Sequence, residues 1–455
     1  MNYRAIFIDK AVALGKKKGF FIYLQNTFWL MFEKVFTLSV AFVVGIYVAR
    51  YFGPENLGLL DYGRSIAIFL TTFATLSVEQ FLVKKLIEDK ARINMILGTF
   101  FFLRVFASLF SIAAVFVLFF LGAFDQAIIF TIVLIITCSS VFTSFGVLQG
   151  YFQSNLNSGK VALATSLQII CSAFLKVYFI IYEFSLEYFA AVYLIEGIAF
   201  AVGLIYSYQR NSHSILKWKF DFKLAKEILL ECWPMMISGL IIIVYMRIDQ
   251  LMIKWLLDAQ SVGYYSSAVK LSEIWFFIGL VICNSFFPAL VKARVSDPAL
   301  YKRRLQSLLN LLVVIGLVIT IPISIFSSTI IEMLYGIRFA PASGVLTIHA
   351  WSLVFIFVGQ VGSRWLINEN LQKMNLNRTF WGMMVNIILN LILIPKYGIN
   401  GAAFATLFSQ FTASYLSNSF SEKSKELFLA QTRALFPIHL ATGFFSLTEN
   451  KKYGR

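Results

Sequence analysis

The chain has 455 residues, of which 59% are hydrophobic and 14% are charged. Soluble domains average about 45–50% apolar and about 25% charged residues, so this composition excludes a soluble globular protein. The formal net charge of +16 does not indicate a nucleic-acid-binding protein, because the basic residues lie in short segments between apolar stretches. We therefore expect a membrane protein with lipids as neighbours and no nucleic-acid partner.

Apolar segments long enough to cross a hydrocarbon core of about 30 Å recur along the whole chain. The basic N-terminal run leads into one of them without a small-residue cleavage site, so we interpret it as a first span and not as a signal peptide. The pattern predicts twelve transmembrane helices, at residues 20–49, 65–86, 97–121, 127–150, 161–182, 187–209, 232–257, 263–290, 305–328, 343–367, 379–395 and 399–420.

The Lys and Arg residues indicate the orientation of these spans, because short cytoplasmic loops are enriched in them. With a cytoplasmic N-terminus, the predicted inner segments hold 28 basic residues and the outer segments hold four. The outer connections are short. We therefore expect a multi-pass protein with both termini in the cytoplasm and no external domain.

Internal similarity suggests two related halves, as in many transporters. An offset of 205 residues places residues 57–60 over 262–265, although apolar helices that merely resemble one another remain an alternative explanation. The basic segment 210–226 is the natural connection between the halves. The predicted domains are an N-terminal lobe, a cytoplasmic connecting segment, a C-terminal lobe and a cytoplasmic tail, at residues 1–209, 210–226, 227–420 and 421–455.

Motifs of soluble enzymes, such as a Walker loop, GxSxG or HExxH, do not occur in the sequence. The four cysteines show no paired spacing, so neither a metal site, a disulfide nor a cofactor is expected. His349 lies inside the tenth predicted span and is either a proton relay or, the interpretation that we favour, a side chain hydrogen-bonded to a neighbouring helix.

Charged residues inside the predicted spans are the main candidates for function, because each costs about 2.5–3.5 kcal/mol on insertion scales. We expect Arg104, Arg364, Glu79 and Lys254, near span ends, to extend towards the interface. The deeper ones are Glu33, Lys34, Lys176, Glu196, Arg247, Asp249, Lys270 and Glu273.

The seventh and eighth spans concentrate these charges. On a helix, Arg247 and Lys254 lie within ~20° of each other, whereas Asp249 lies ~200° from Arg247 and points to another helix. Lys270 and Glu273 form an i, i+3 pair. The charges either hold the bundle together or line a net cationic cavity between the halves that suits a phosphate-bearing headgroup.

Several segments of the chain together resemble the Wzx-type polysaccharide flippases. The segments are Trp233-Pro234, Arg247-Ile-Asp249-Gln250, Gly263-Tyr264-Tyr265, Lys270-Leu-Ser-Glu273, Phe287-Pro288, the turn at 49–58 and the stretch at 390–403. This family shares a superfamily with drug-extruding antiporters and peptidoglycan-precursor flippases. The resemblance implies an all-α membrane protein with two six-helix lobes around a central cavity.

The resemblance also implies a function: ion-gradient-coupled translocation of an undecaprenyl-diphosphate-linked O-antigen or similar repeat unit from the cytoplasmic to the periplasmic leaflet of a bacterial inner membrane. A polysaccharide polymerase and a chain-length regulator are further expected partners. The residues expected to bind the diphosphate or acidic sugars are Arg247, Lys270, Lys34, Arg50, Arg64 and Lys176. The residues expected to respond to the coupling ion are Asp249, Glu273 and Glu33.

Three other classes of protein compete with this interpretation. A multidrug antiporter of the same superfamily would favour an acidic, aromatic cavity. A membrane polymerase or glycosyltransferase would need large external loops, which the sequence does not predict. A structural adaptor would not need so many intramembrane charges.

Overall fold

The computed structural model describes the backbone of residues 3–75, 79–210 and 214–436, and their side chains except at 3–27, 30, 73–75 and 80. These ranges are helical and contain no strand. The side chains of the N-terminal basic residues, residues 211–213 of the predicted connecting segment and residues 437–455 of the predicted tail lie outside the described part.

Sixteen α-helices follow one another in the described residues. They are α1 (Tyr3–Thr75), α2 (Glu79–Glu88), α3 (Ile93–Phe120), α4 (Ala127–Thr143), α5 (Val147–Ser154), α6 (Ser158–Ile181), α7 (Leu186–Gln209), α8 (Phe222–Leu256), α9 (Ala259–Glu273), α10 (Phe276–Ser296), α11 (Pro298–Ile325), α12 (Ser327–Tyr335), α13 (Ala342–His349), α14 (Ser352–Asn368), α15 (Gln372–Ser414) and α16 (Lys425–Leu435).

Ten helical stretches in the described ranges are long and apolar enough to cross a membrane. Helices α1 and α15 are much longer than a bilayer requires, and each is broken at one glycine. Gly53 has φ 68° and Gly398 has φ 59°, values that a side chain disfavours. The two breaks fall between the first and second and between the eleventh and twelfth predicted spans. The multi-pass architecture is confirmed, and the count of twelve stays a prediction.

Several segments differ from the sequence-based expectation. Residues 54–64, expected in an outer connection, belong to the second half of α1, because Pro54 sits where a helix begins and lacks the N–H that would need a partner. The fourth predicted span is divided into α4 and α5, the eighth into α9 and α10, and the tenth into α13 and α14.

The contacts within the chain define two compact units, and the first comprises residues 1–51 and 66–240. Its core contains Leu97, Phe100, Leu148, Phe152 and Tyr208, all buried. Outside this core, Lys85 of α2 forms an ion pair with Glu227 of α8. Apolar packing thus joins the helices of this unit, and the ion pair fixes one end of α2.

The second unit comprises residues 52–65 and 241–455. Its core lies among α10, α11, α14 and α16, and includes Leu309, Leu312, Phe357, Val361 and Leu427. Helix α16 buries Leu427, Gln431 and Ala434 on one face. The helix that follows the last span therefore belongs to this core.

Within the second unit, the second half of α1 packs against α9 through two glycines. A Cβ atom on Gly58 would lie 1.7 Å from the carbonyl oxygen of Ala259, and one on Gly263 would lie 1.8 Å from that of Pro54. Gly58 corresponds to Gly263, and Pro54 to Ala259, under the 205-residue offset found in the sequence. The contact is therefore reciprocal, as expected for a local two-fold relation between repeated segments.

Substitution of Gly58 by alanine tests this contact. Replacing glycine by alanine in a helix gains roughly 1 kcal/mol of helix propensity, but a Cβ atom here forces the backbones apart, at a cost of about 1–3 kcal/mol. The matched control is Gly45→Ala, because a Cβ there meets nothing within 4 Å. We expect thermal unfolding of the purified protein to show a lower Tm for Gly58→Ala than for Gly45→Ala. An equal or higher Tm would contradict the close approach.

Candidate functional site

The most extensive charged site in the second unit begins with Lys270 of α9. Its Nζ atom lies 2.8 and 2.6 Å from the two carboxylate oxygens of Asp61, and the Ser266 hydroxyl donates to the same carboxylate at 2.5 Å. Asp61 is buried, whereas the Lys270 side chain is 38% exposed. The lysine thus satisfies a buried anion and keeps part of its surface accessible.

The sequence offered Glu273 as the partner of Lys270, and the structure places Asp61 there instead. Asp61 was missed because residues 50–64 were expected in an outer connection. An acidic residue in such a connection is exposed to water and does not indicate a functional site. Under the 205-residue offset Asp61 corresponds to Ser266, its hydrogen-bond donor.

Asp249 of α8 is the second buried acid. Its carboxylate accepts hydrogen bonds of 2.6 Å each from the Asn390 amide and from the hydroxyls of Thr406 and Tyr265. No basic side chain in the described part of the chain forms an ion pair with it. The separation of Asp249 from Arg247 around α8 led us to expect contacts with other helices, and these donors lie on α9 and on both halves of α15.

The Asn390 side chain has further polar neighbours. Asn390 also donates to the side-chain oxygen Oδ1 of Asn386 at 3.1 Å, while the side-chain oxygen of Asn390 is buried and has no hydrogen-bond partner among the described residues. Carboxylate, amide and hydroxyl oxygens are the ligands that hard cations prefer. Across the described residues, no group of three or more His, Cys, Asp or Glu side chains is arranged to hold a metal.

Arg247 and Glu273 complete the charged site. Arg247, Lys270 and Arg64 all act electrostatically on Glu273, and Arg64 acts on Asp61 as well. Arg247 is half-buried and forms no ion pair or hydrogen bond with any side chain that the structure describes. The predicted residues that the structure brings together are Arg247, Lys270, Arg64, Asp249 and Glu273. Asp61 joins them and adds a negative charge. The acids then balance the bases, so the net positive charge predicted from the sequence is absent here.

The other four predicted residues belong to the first unit. Lys176 forms an ion pair of 3.0 Å with Glu196, lies 5.1 Å from the centre of the Tyr193 ring and is only 17% exposed. Its charge is therefore neutralised within the unit. Glu33 is half-buried on α1, and Lys34 and Arg50 are exposed on the same helix.

Two further expectations have clear outcomes. Arg104 does not extend to the interface: it is 4% exposed, and its Nε and Nη2 atoms have no hydrogen-bond partner in the part of the chain that the structure describes. Its position inside the bundle follows from α3, whose buried face includes Arg104 and Ser108. For His349, the favoured interpretation is confirmed, because its Nδ1 atom lies 2.6 Å from the Ser272 hydroxyl of α9.

Comparison with known proteins identifies the family. Residues 23–294 match the family model described as "Polysaccharide biosynthesis protein". The chain belongs to this family. It is 23% identical over 397 residues to the capsular polysaccharide biosynthesis protein CapF of Staphylococcus aureus, covering 86% of this chain and 96% of that one. A probable low-salt glycan biosynthesis flippase of Haloferax volcanii, Agl15, is 27% identical over 169 residues, covering 36% of this chain and 35% of that protein.

Solved structures confirm the fold. The lipid II flippase MurJ in an inward closed conformation superposes with a TM-score of 0.72 at 18% identity, covering 94% of this chain and 96% of that one. An inward-facing multidrug transporter of the MATE family gives 0.62 at 11% identity, covering 96% and 99%. The chain therefore has the all-α fold of a two-lobe transporter.

The Asp61–Lys270 pair can be tested by a double-mutant cycle. Lys270→Met leaves a buried carboxylate without its cation and should lower the stability of the purified transporter. Adding Asp61→Asn removes that carboxylate, so the double variant should recover part of the loss. We expect a coupling free energy within about 0.5–3 kcal/mol, the usual range for contacting residues. Additive effects in thermal unfolding would show that the pair does not form.

Proposed function

We propose that this transporter moves an undecaprenyl-diphosphate-linked saccharide, an O-antigen or related repeat unit, from the cytoplasmic to the periplasmic leaflet of a bacterial inner membrane. Membership of a polysaccharide biosynthesis family supports the saccharide cargo. The relative from Staphylococcus aureus, matched over nearly its whole length, is a capsular polysaccharide protein, so a capsule precursor is included among the related repeat units.

The binding of the diphosphate is assigned chiefly to Arg247. A guanidinium group has five N–H donors in a planar fork that fits two phosphate oxygens at once. Arg247 is half-buried, and none of its N–H groups donates a hydrogen bond to a described side chain. This is the observation that carries the assignment, because donors that no described side chain uses are available to the oxygen atoms of a phosphate.

The remaining cations fall into different roles. Lys270 and Arg64 would contribute to cargo binding beside Arg247, with Asp61 holding the ammonium group of Lys270 in place. Lys34 and Arg50 of the first unit would contact acidic sugars or phosphate. Lys176 is the weakest of the proposed ligands, because Glu196 already neutralises it.

The driving ion is assigned to Asp249. Its carboxylate has only neutral donors around it among the described residues, and burial of an ion without an opposite charge is unfavourable. A bound proton or alkali cation would neutralise the Asp249 carboxylate and weaken the hydrogen bonds that it accepts from α9 and α15. Those helices would then shift, which links ion binding to alternating access. Glu273 and Glu33 are further candidates for the ion-sensitive groups.

The same proposal includes a division between the two lobes at residues 210–226 and cytoplasmic termini. It also includes cooperation with a polysaccharide polymerase and a chain-length regulator. Export of cationic drugs is disfavoured, because Arg247 and Lys270 stand beside the acids of the site.

Reversal of the charge at Arg247 tests cargo binding. In a strain that depends on this transporter, we expect Arg247→Glu to abolish surface polysaccharide, because the new carboxylate repels the diphosphate. Arg247→Lys should lower the amount by about tenfold, since it keeps the charge but loses the bidentate fork, worth roughly 1.4 kcal/mol. Arg303→Glu, an exposed site with the same change of charge, is the control. Normal polysaccharide in the Arg247→Glu strain, with the protein inserted, would contradict the assignment.

Removal of the charge at Asp249 tests ion coupling. A ligand that binds the folded state at about 100 times its Kd stabilises it by about 2.7 kcal/mol. We therefore expect the Tm of the wild-type protein to rise when Na⁺ replaces choline, or when the proton concentration increases if the proton is the driving ion. Asp249→Asn should lose this response, while Glu422→Gln, at an exposed acid outside the site, keeps it. Equal responses in all three proteins would reject Asp249 as the ion site.

A further inference from the structure

The segment at residues 214–226, which leads from α7 into α8 in the first unit, contains four exposed lysines. None of them forms an ion pair with a described side chain. The nearest acids along the chain are occupied, because Asp221 accepts a hydrogen bond of 2.7 Å from the Leu224 N–H and Glu227 pairs with Lys85. The segment thus carries positive charge that no described acid balances. The four residues are Lys217, Lys219, Lys223 and Lys226.

Backbone contacts hold this segment against the beginning of α3. The N–H of Lys219 donates to the carbonyl oxygen of Asn94 at 3.3 Å, and the N–H of Asp221 donates to the Thr99 hydroxyl at 3.1 Å. A Cβ atom on Gly98 would lie 2.5 Å from the carbonyl oxygen of Lys219, so the two backbones meet where α3 has no side chain. The lysines therefore extend from a backbone with a fixed position.

Aromatic side chains of the segment face α3. The backbone at Trp218 is extended, with ψ 134°, and neighbouring side chains on an extended backbone point in opposite directions. The Trp218 ring lies 5.2 Å from that of Phe101, and the Phe220 ring lies 6.2 Å from that of Phe102, measured between centroids. Lys219, between the two aromatic residues, is exposed. The rings thus pack on the bundle, and the charge faces outward.

The length of α3 indicates the depth of the segment in the membrane. Its 28 residues span about 42 Å, which exceeds a hydrocarbon core of about 30 Å by about 10 Å, or about seven residues, at the usual tilt. The far end of α3 is apolar and exposed at Phe119 and Phe120, so the excess falls on its first seven residues, 93–99. Lys219 meets this stretch at Gly98, which is the level of the lipid headgroups.

Two apolar side chains of the segment are almost fully exposed. Leu216 is 91% exposed and Phe222 is 83% exposed. Exposure of such side chains to water is unfavourable, and apolar side chains next to basic residues are typical of segments that lie in the membrane interface. A soluble anion would pair with the lysines but would not cover these two side chains.

We propose that residues 214–226 form a binding surface for anionic phospholipids. The four lysines contact the phosphate groups, and Leu216 and Phe222 insert among the lipid chains. Clusters of four or more basic residues next to the cytoplasmic end of a transmembrane helix attract anionic lipids, and the distribution of basic residues predicts that this segment is cytoplasmic. The surface shares no residue with the proposed cargo and ion sites, so the proposal does not depend on the proposed function.

Hydrogen exchange of the full-length protein tests the proposal. The protein is placed in nanodiscs of phosphatidylcholine and in nanodiscs of phosphatidylglycerol, and mass spectrometry follows the backbone amides of residues 215–223. We expect these amides to exchange at least about fivefold more slowly in phosphatidylglycerol. A fivefold change corresponds to about 1 kcal/mol, the contribution of one lysine near an anionic membrane surface. Equal rates in the two lipids would overturn the proposal.

Removal of the four charges separates this surface from a general effect of the lipid. The variant with Lys217→Gln, Lys219→Gln, Lys223→Gln and Lys226→Gln should exchange at equal rates in both lipids, and a retained difference would overturn the proposal. The matched control removes four exposed basic residues of the second unit that form no ion pair with a described side chain, and it should keep the difference. Its substitutions are Lys292→Gln, Arg303→Gln, Lys373→Gln and Lys423→Gln.

Two further measurements distinguish a lipid surface from a site for an acidic protein. The double variant Leu216→Ser, Phe222→Ser should lose most of the slowing in phosphatidylglycerol, and retention of the whole effect would overturn the proposed insertion. Polyglutamate added to the protein in phosphatidylcholine nanodiscs should leave the exchange unchanged. Slowing by polyglutamate equal to that by phosphatidylglycerol would assign the lysines to a soluble acidic partner and overturn the lipid proposal.

Discussion

A charge inside a hydrocarbon layer finds no water, so it must be paired within the chain or by what the chain binds. The pairing of Asp61 with Lys270 meets this requirement, and it depends on the closeness of two backbones. Because Gly58 and Gly263 lack side chains, the second half of α1 and α9 approach to contact distance. That approach allows the Asp61 carboxylate to receive both the ammonium group and the Ser266 hydroxyl.

Arg247 and Asp249 meet the same requirement differently. They are two residues apart on α8, so they face nearly opposite directions, ~200° apart. Asp249 accepts hydrogen bonds from neutral donors and is proposed to bind a cation. Arg247 forms no ion pair or hydrogen bond with a described side chain and is proposed to bind an anion. A single helix would thus carry the group that senses the driving ion and the group that holds the phosphate of the cargo. Movement of α8 would affect both at once.

The class of the fold and much of the site could be predicted because they depend on residues that are close together in the sequence. Apolar runs and the placement of basic residues depend only on neighbouring positions, and so they identified a multi-pass helical protein. The buried charges Arg247 and Asp249 were visible because a charge within an apolar run is exceptional. Asp61 was not visible, because its burial depends on the packing of α9, 205 residues away in the repeat. The depth of Arg104 likewise depends on neighbouring helices and not on its position along α3.

The central claim is that this protein translocates a lipid-linked saccharide by means of a cation gradient. It is tested most directly with the purified transporter in proteoliposomes that contain a fluorescent undecaprenyl-diphosphate saccharide. Accessibility of the label to a membrane-impermeant quencher reports which leaflet the lipid occupies. We predict transfer between leaflets that is faster with an imposed cation gradient than without one. Transfer no faster than in protein-free vesicles, with or without the gradient, would contradict the account.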